Sequence, residues 1–405
     1  MNVLMISPGY PTEMPLFTRA LAQAGARVIG IGDGPQASLP DVARQSLAAY
    51  FQVKSLADDA AVIQEVAAIA RKAEIHSVEC LWEPFTILAA RVREALGIGG
   101  MTVEQTIPFR DKEVMKQKLD AAGIRTPRHA SSVTVDGVRD AAAEIGYPLI
   151  VKPIAGAGSA DTYRVESDEE LASILPKLRH VTEVSVEEFV EGDDFTYDTI
   201  CVDGEIKMFF IAFYRPRALV ARDNEWVSPQ TISTRNVDDE HVAQGRAMGE
   251  AVMKALDFRT GITHMEWYRK PDGEAVFGEI AARAPGAGLV DLHNYAGDCD
   301  LYAAWAETVV HGRCSQQPSR RYNSVSIYKR AKGQGRIQSI EGLDPLLAEI
   351  GPHVCVLDLL PIGPPRRNWK QTLVSDGTVI LRHPDLQRTM EMADLVGTRL
   401  QLHAG

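Results

Sequence analysis

The chain has 405 residues, enough for two or three domains with ample core, and its 45% hydrophobic and 24% charged content is that of an ordinary globular protein. A net charge of −11 argues against non-specific binding to nucleic acid or to an anionic membrane, and no stretch approaches the ~18 apolar residues of a membrane span. Cys80, Cys201, Cys299, Cys314 and Cys355 are odd in number and scattered, with no CxxC pair, so reduced thiols are expected and a zinc site is not. The first nine residues lack a basic region and read as an initial strand rather than a signal peptide, which makes the expected location cytoplasmic.

Short apolar runs at residues 3–7 and 27–32 flank a helical pattern at 16–24, and residues 57–71, 77–82 and 86–96 read as helix, strand and helix. Strands alternating with helices predict a parallel, doubly wound α/β sheet in an N-terminal domain, residues 1–110. The run Gly30-Ile31-Gly32-Asp33-Gly34-Pro35 is close to a dinucleotide fingerprint, but Pro35 takes the place of the third glycine and the run follows the second strand. A glycine-rich strand end is the better reading, and a nicotinamide cofactor is rejected. No GxxxxGK[ST] occurs, which removes the P-loop class.

From Asp111 the pattern changes. A charged helix at 111–122 stops at Gly123 before Thr126-Pro127. Residues 147–153 form a strand carrying Lys152, followed by a small-residue loop that includes Gly156, Gly158 and Ser159. Successive backbone N–H groups in such a loop can cradle an anion, and a strand-end lysine adds a point charge for phosphate. Further strands are predicted at 162–166, 184–190, 196–202 and 205–214, so antiparallel hairpins dominate and an α+β unit has begun. Residues 216–235 are weakly patterned and read as a mobile loop; of Arg215, Arg217, Arg222 and Arg235, in or near it, one or two could hold a carboxylate, and the others read as solvated. Residues 320–405 read as mixed strands and helices without evident chemistry.

Residues 262–288 hold the sharpest signal. Two strand-like runs are separated by Asp272-Gly273, a two-residue hairpin signal. A loop made of those two residues sets Glu266 directly opposite Glu279, with Cβ atoms roughly 5 Å apart on one face, where like charges repel. A cation between them is one way a fold keeps such a pair, and all-oxygen ligands suit Mg²⁺ with substrate phosphates completing its shell. Solvation on an exposed face is the other. His264 lies on the Glu266 face by alternation, and it and His293 could border the site.

Five segments in this order resemble the ATP-grasp superfamily. They are Asp111-Lys112 with Gly123-Ile124-Arg125-Thr126-Pro127, and Tyr147 to Pro153 with Gly156-Ala157-Gly158-Ser159. Then come Glu187-Glu188-Phe189-Val190 with Gly192-Asp193-Asp194, Thr263-His264-Met265-Glu266, and Gly278-Glu279-Ile280-Ala281-Ala282-Arg283-Ala284-Pro285-Gly286. The resemblance implies an N-terminal α/β domain followed by an ATP-grasp fold of two α+β subdomains clasping a nucleotide: a small one at 111–188 and a large one with the C-terminal extension at 189–405. It also implies roles. Lys112 and Lys152 would hold ATP phosphates, and Gly156, Gly158 and Ser159 would belong to a loop closing over them. Glu187, Glu188, Phe189 and Val190 would form the hinge that reads adenine, and Asp194 would take the ribose. Glu266 and Glu279 would ligate Mg²⁺, with Mn²⁺ as an alternative ion, and Arg283 would contact an acyl phosphate.

The family's usual metal-ligating asparagine is Ala281 here, so one oxygen ligand is missing. The activity implied is an ATP-dependent carboxylate–amine ligase acting on small molecules, with amino acids or dipeptides favoured, releasing ADP and phosphate. A biotin-carboxylase-like enzyme and a catalytically silent ATP binder are the alternatives. Dimers are common in such enzymes, and nothing in this sequence decides the point.

Overall fold

In the computed structural model, which describes residues 1–154, 161–369, 371–372 and 375–405, the first hundred residues form a parallel four-stranded sheet. Its strands β1 (Asn2–Ile6), β2 (Arg27–Gly32), β3 (Ala49–Gln52) and β4 (Ser77–Glu79) lie in the order β3-β2-β1-β4. Alternation along β1 explains the two covered faces. Val3 and Met5 pack toward the helix Met14–Gln23, whereas Leu4 and Ile6 enter a second core with the helices Asp59–Ala70 and Thr86–Leu96. The first helix docks this unit on the rest of the chain: Phe17 meets Tyr302 and Trp305 of the helix Leu301–His311 edge-to-face at 4.8 and 5.2 Å.

A second sheet, antiparallel, follows the helix Lys112–Ala121. It holds β5 (His129–Ser132), β6 (Leu149–Pro153), β7 (Tyr163–Val165) and β8 (Val184–Glu188) in the order β5-β8-β6-β7. The chain then enters an eight-stranded antiparallel sheet. Its members are β9 (Asp193–Val202), β10 (Glu205–Arg215), β11 (Gln230–Thr234), β12 (Gly261–Arg269), β13 (Ala275–Ala281) and β14 (Asn323–Lys329). After β15 (Lys332–Gly333) and β16 (Ile337–Glu341), β17 (Val354–Leu359) and β18 (Gly377–His383) complete it in the order β13-β12-β9-β10-β11-β14-β18-β17. A last strand, β19 (Gln401–Ala404), lies between β15 and β16. The predicted combination of α/β and α+β units holds. No helix among the described residues is long and apolar enough to cross a membrane.

Two expectations need correction. The weakly patterned stretch 216–235 is not one loop: it contains the helix Ala218–Asp223 and β11, an interior strand of the large sheet. All five residues of Gln230-Thr231-Ile232-Ser233-Thr234 are buried, so polar/apolar alternation never arises. Hydrogen bonds from Ser233 to His293 (2.9 Å) and Thr234 to Asn323 (3.3 Å) satisfy hydroxyls that would otherwise be costly there.

The hairpin β12–β13 differs at its turn. Its loop spans three residues, 271–273, closed by Gly273 N–H donating to Lys270 O at 2.9 Å with Gly273 at φ +93°. The longer loop shifts the register near the turn, pairing Trp267 with Phe277. Gly278 then bulges, the Phe277 amide donates to Arg125 O at 2.9 Å, and the predicted rung of Glu266 opposite Glu279 is restored. A Cβ on Gly278 would lie 2.8 Å from the Glu266 carbonyl oxygen, which is backbone and cannot step aside. Gly278→Ala is therefore expected to destabilise by about 1–3 kcal/mol, read as a lowered midpoint in denaturant melts.

Candidate functional site

The second sheet and the eight-stranded sheet face each other across a cleft lined by Lys112, Lys152, Glu187–Val190, Asp194, Tyr214, Arg217, Glu266, Tyr268 and Glu279. Each of these arrives from a strand or helix end that the local sequence dictates. Asp111 caps the helix Lys112–Ala121 by accepting from the amides of Glu113 and Val114 at 3.0 and 2.9 Å, which starts the helix at Lys112. Lys112 reaches Glu279 at 3.2 Å. One turn on, Lys116 is fully buried and meets Glu187 at 2.7 Å, while Lys152 meets the other oxygen of Glu187 at 2.9 Å.

Glu187 thus sits between two lysines, with Ser185 donating a further bond at 2.8 Å. Burial pushes its carboxyl up, but the two ammonium groups and their hydrogen bonds override this and hold it far below the usual carboxylate range. The lysines divide differently. Burial drives Lys116 below the ordinary lysine value despite Glu187. For Lys152 burial lowers as well, yet Glu187 and the more distant Glu279 and Glu266 win and the ammonium is favoured. For Glu279 burial raises, and Lys112 and Lys152 bring it down to about 2.

The remaining expected positions fall around this charge cluster. The Glu188 carboxylate is held by Arg125 at 3.0 Å and the Arg128 amide at 3.1 Å, and the amides of Glu188 and Phe189 donate to Arg128 O and Pro148 O. The Val190 carbonyl accepts from Arg217 at 3.0 Å. The same guanidinium donates to Asp194 at 2.7 Å, and the Ala218 amide donates to the other Asp194 oxygen at 3.1 Å. Of the four loop arginines, then, Arg217 lines the cleft. Arg215 bonds Gln230 and Asp394, and Arg235 bonds Arg321 O. Gly156, Gly158 and Ser159 lie outside the described residues.

Arg283, just past β13, donates to Glu83 at 2.7 Å, and Arg110 ion-pairs with the other oxygen of the same carboxylate. Sequence reasoning missed Glu83 and Lys116. Glu83 stands four residues beyond the end of β4 in the parallel sheet, and the carboxyl ends of such strands are where ligand-facing groups collect. Lys116 follows Lys112 by four residues on one helix, which places both on one face.

Glu266 and Glu279 share one rung and both remain partly solvent-accessible. Among the described residues no group of three or more His, Cys, Asp or Glu has metal-binding geometry. Two accessible carboxylates facing a cleft with lysines suit a hard divalent ion that takes its other oxygens from phosphate and water, and do not suit an all-protein cage.

Comparison with known proteins agrees with this arrangement. Residues 117–296 match the model of the ATP-grasp domain. Over 205 residues, 49% of this chain and 49% of the relative, the chain is 29% identical to an L-arginine-specific L-amino acid ligase of Bacillus subtilis. It is 35% identical over 109 residues, 26% of this chain, to a D-alanine–D-alanine ligase of Clostridium perfringens, covering 35% of that protein. The chain thus spans about half of the first relative and about a third of the second. The crystal structure of an L-amino acid ligase from Bacillus licheniformis superposes with a TM-score of 0.77 at 17% identity, covering 100% of this chain and 98% of that one, which shows a shared fold. The rung of paired glutamates, and all of the residues named above as lining the cleft except Lys112, lie within residues 117–296, the part of this chain that matches the ATP-grasp domain.

Proposed function

We propose that the protein is an ATP-dependent carboxylate–amine ligase, with amino acids or dipeptides as substrates. The observation that carries this reading is the convergence of Lys112, Lys152, Glu266 and Glu279 in one cleft, with Arg283 at its edge. Phosphoryl transfer needs alignment and charge neutralisation more than covalent help from the protein. Lys112 and Lys152 supply positive charge for the phosphates, and the hinge at Glu188, Phe189 and Val190, with Asp194, bounds the far end of the cleft where a nucleoside would lie. Glu266 and Glu279 would hold Mg²⁺, with Mn²⁺ as a substitute; the ion when bound supplies further charge neutralisation at the phosphate oxygens. Division of the chain near residues 110 and 188 belongs to the same reading, because the sheet changes at those points.

A substrate carboxylate oxygen attacks the γ-phosphorus, the bond to the bridging oxygen breaks, and ADP leaves. The amine then attacks the acyl carbon, inorganic phosphate leaves with the carbon–oxygen bond pair, and a proton is lost from nitrogen. In this reading Arg283 would offset the negative charge that develops on the acyl phosphate. Glu83 fixes that guanidinium through its Nε and is itself held by Arg110. Glu83→Gln weakens both links, and kcat is expected to fall by about 10²-fold while the KM for ATP stays within about twofold.

The direct assay is Mg²⁺-dependent ADP release from pools of amino acids, other small carboxylates with amines, and bicarbonate. ADP that requires a carboxylate and an amine together supports the ligase. ADP driven by bicarbonate alone overturns it in favour of a carboxylase.

A further inference from the structure

A buried polar chain runs through the large sheet and ends on one of the paired glutamates. Ser233 of β11 bonds His293 Nδ1 at 2.9 Å, and His293 Nε2 bonds Asp198 Oδ2 of β9 at 2.8 Å. Asp198 Oδ1 bonds His264 Nδ1 of β12 at 2.5 Å, and His264 Nε2 lies 3.6 Å from Glu266 Oε1. Ser233, His293, Asp198 and His264 are all at most 9% exposed. Thr196 donates to Asp198 at 2.8 Å, so this carboxylate accepts three bonds from side chains of three different elements. A hydrophobic core would fill that volume without polar atoms; a fully partnered polar chain instead fixes orientation.

The orientation it fixes is that of His264. With Nδ1 held by Asp198, the ring can present only Nε2 toward the cleft, and Glu266 Oε1 is what it meets. Tyr214 Oη approaches the same oxygen at 3.5 Å. Both groups gather on Oε1 of Glu266, a residue that lines the cleft. Across the hairpin the residue paired with His264 is Ala281, whose methyl cannot reach or orient a carboxylate.

We propose that His264, aligned by Asp198 and His293, is a positioning residue that sets the metal-binding rotamer of Glu266. The proposal rests on the ligase reading above, through its assignment of Glu266 as a ligand. Nδ1 is taken by Asp198 and Nε2 stands 3.6 Å from the Glu266 carboxylate, so the ring meets the ligand rather than the ion. A glutamate left to its own three torsions would present the ion with many rotamers, and loss of such outer partners typically weakens metal affinity about 10–100-fold.

The test uses the full chain with ADP, and Mn²⁺ as the probe, read by electron paramagnetic resonance. Wild-type protein is expected to bind Mn²⁺ with ADP and to show no nitrogen coupling from a histidine. His264→Ala is expected to weaken Mn²⁺ at least about tenfold, with ADP affinity in EDTA within about twofold of wild type, a split that general structural damage would not produce. His293→Gln, which acts only through Asp198, is expected to give a smaller loss in the same direction, and it carries the test if His264→Ala does not fold. Unchanged Mn²⁺ affinity in folded variants, or nitrogen coupling in the wild type, overturns the positioning role alone. Failure of the wild type to bind Mn²⁺ with ADP overturns the ligase reading and this inference together.

Discussion

Glu187→Gln is expected to destabilise the protein by about 3–5 kcal/mol, the range found when one partner of a buried ion pair is removed. The replacement is nearly isosteric, so packing is retained and the effect is electrostatic. Lys116, fully buried, and Lys152 lose their shared carboxylate and keep their burial. Lys116 suffers more, because burial already drives its ammonium below the ordinary lysine value even with Glu187 present. The pH dependence follows from the depressed carboxyl of Glu187. A group with a lowered folded-state pKa contributes stability above its unfolded value, about 4.3 for glutamate, and loses it as pH falls toward the folded value. The gap between wild type and variant should hold near neutrality and shrink below about pH 4. Denaturant melts at pH 7 and pH 3.5 measure it; equal gaps at both, or a change under about 1 kcal/mol at pH 7, would contradict the structural role of this triad.

Glu279→Gln should do the opposite: little to stability and most of its damage to activity. Glu279 pairs with the buried Lys112 at 3.2 Å but is itself about a third exposed, so solvent partly screens the pair and its loss is expected to cost clearly less stability than the loss of Glu187. With its carboxyl held down to about 2, Glu279 is an anion throughout the working pH range, and that charge is what a divalent ion would use. Removing it strips one of the two protein oxygens offered to the ion, and kcat/KM for ADP release is expected to drop by about 10²–10³-fold or more. The two glutamates stand in one cleft, yet one is a buried keystone for lysines and the other an accessible ligand. Stability and turnover measured side by side on both variants separate these roles.

Much of this was legible because the signals were periodic or local. The apolar runs at 3–7 and 27–32, with a helical pattern between them, gave the parallel α/β sheet, and the structure has strands at Asn2–Ile6 and Arg27–Gly32. The Glu266–Glu279 rung was read correctly from a wrong loop length, since the extra turn residue is cancelled by the bulge at Gly278. A bulge leaves no mark in a sequence beyond a glycine among glycines. β11 was hidden for a different reason: a central strand made of Gln, Thr and Ser around a single Ile232 is stabilised by partners distant in sequence, His293 and Asn323, so no local pattern records it. The same distance effect hid Glu83, which meets Arg283 two hundred residues away, and gave Glu187 a side-chain role that its place in a strand does not announce. His264 and His293 were noticed singly; that Asp198 joins them could be seen only once β9, β12 and the helix Leu289–Gly297 were packed.

If ATP activates a carboxylate before an amine displaces phosphate, a carboxylate oxygen must leave with that phosphate, and isotope transfer reads this step. Substrate carboxylates labelled with ¹⁸O would be supplied, with amines and Mg-ATP, to the pool that supports ADP release. One ¹⁸O is expected in inorganic phosphate for each amide formed, and none with Glu279→Gln. Amide formation with unlabelled phosphate, or release of AMP and pyrophosphate in place of ADP, would contradict it.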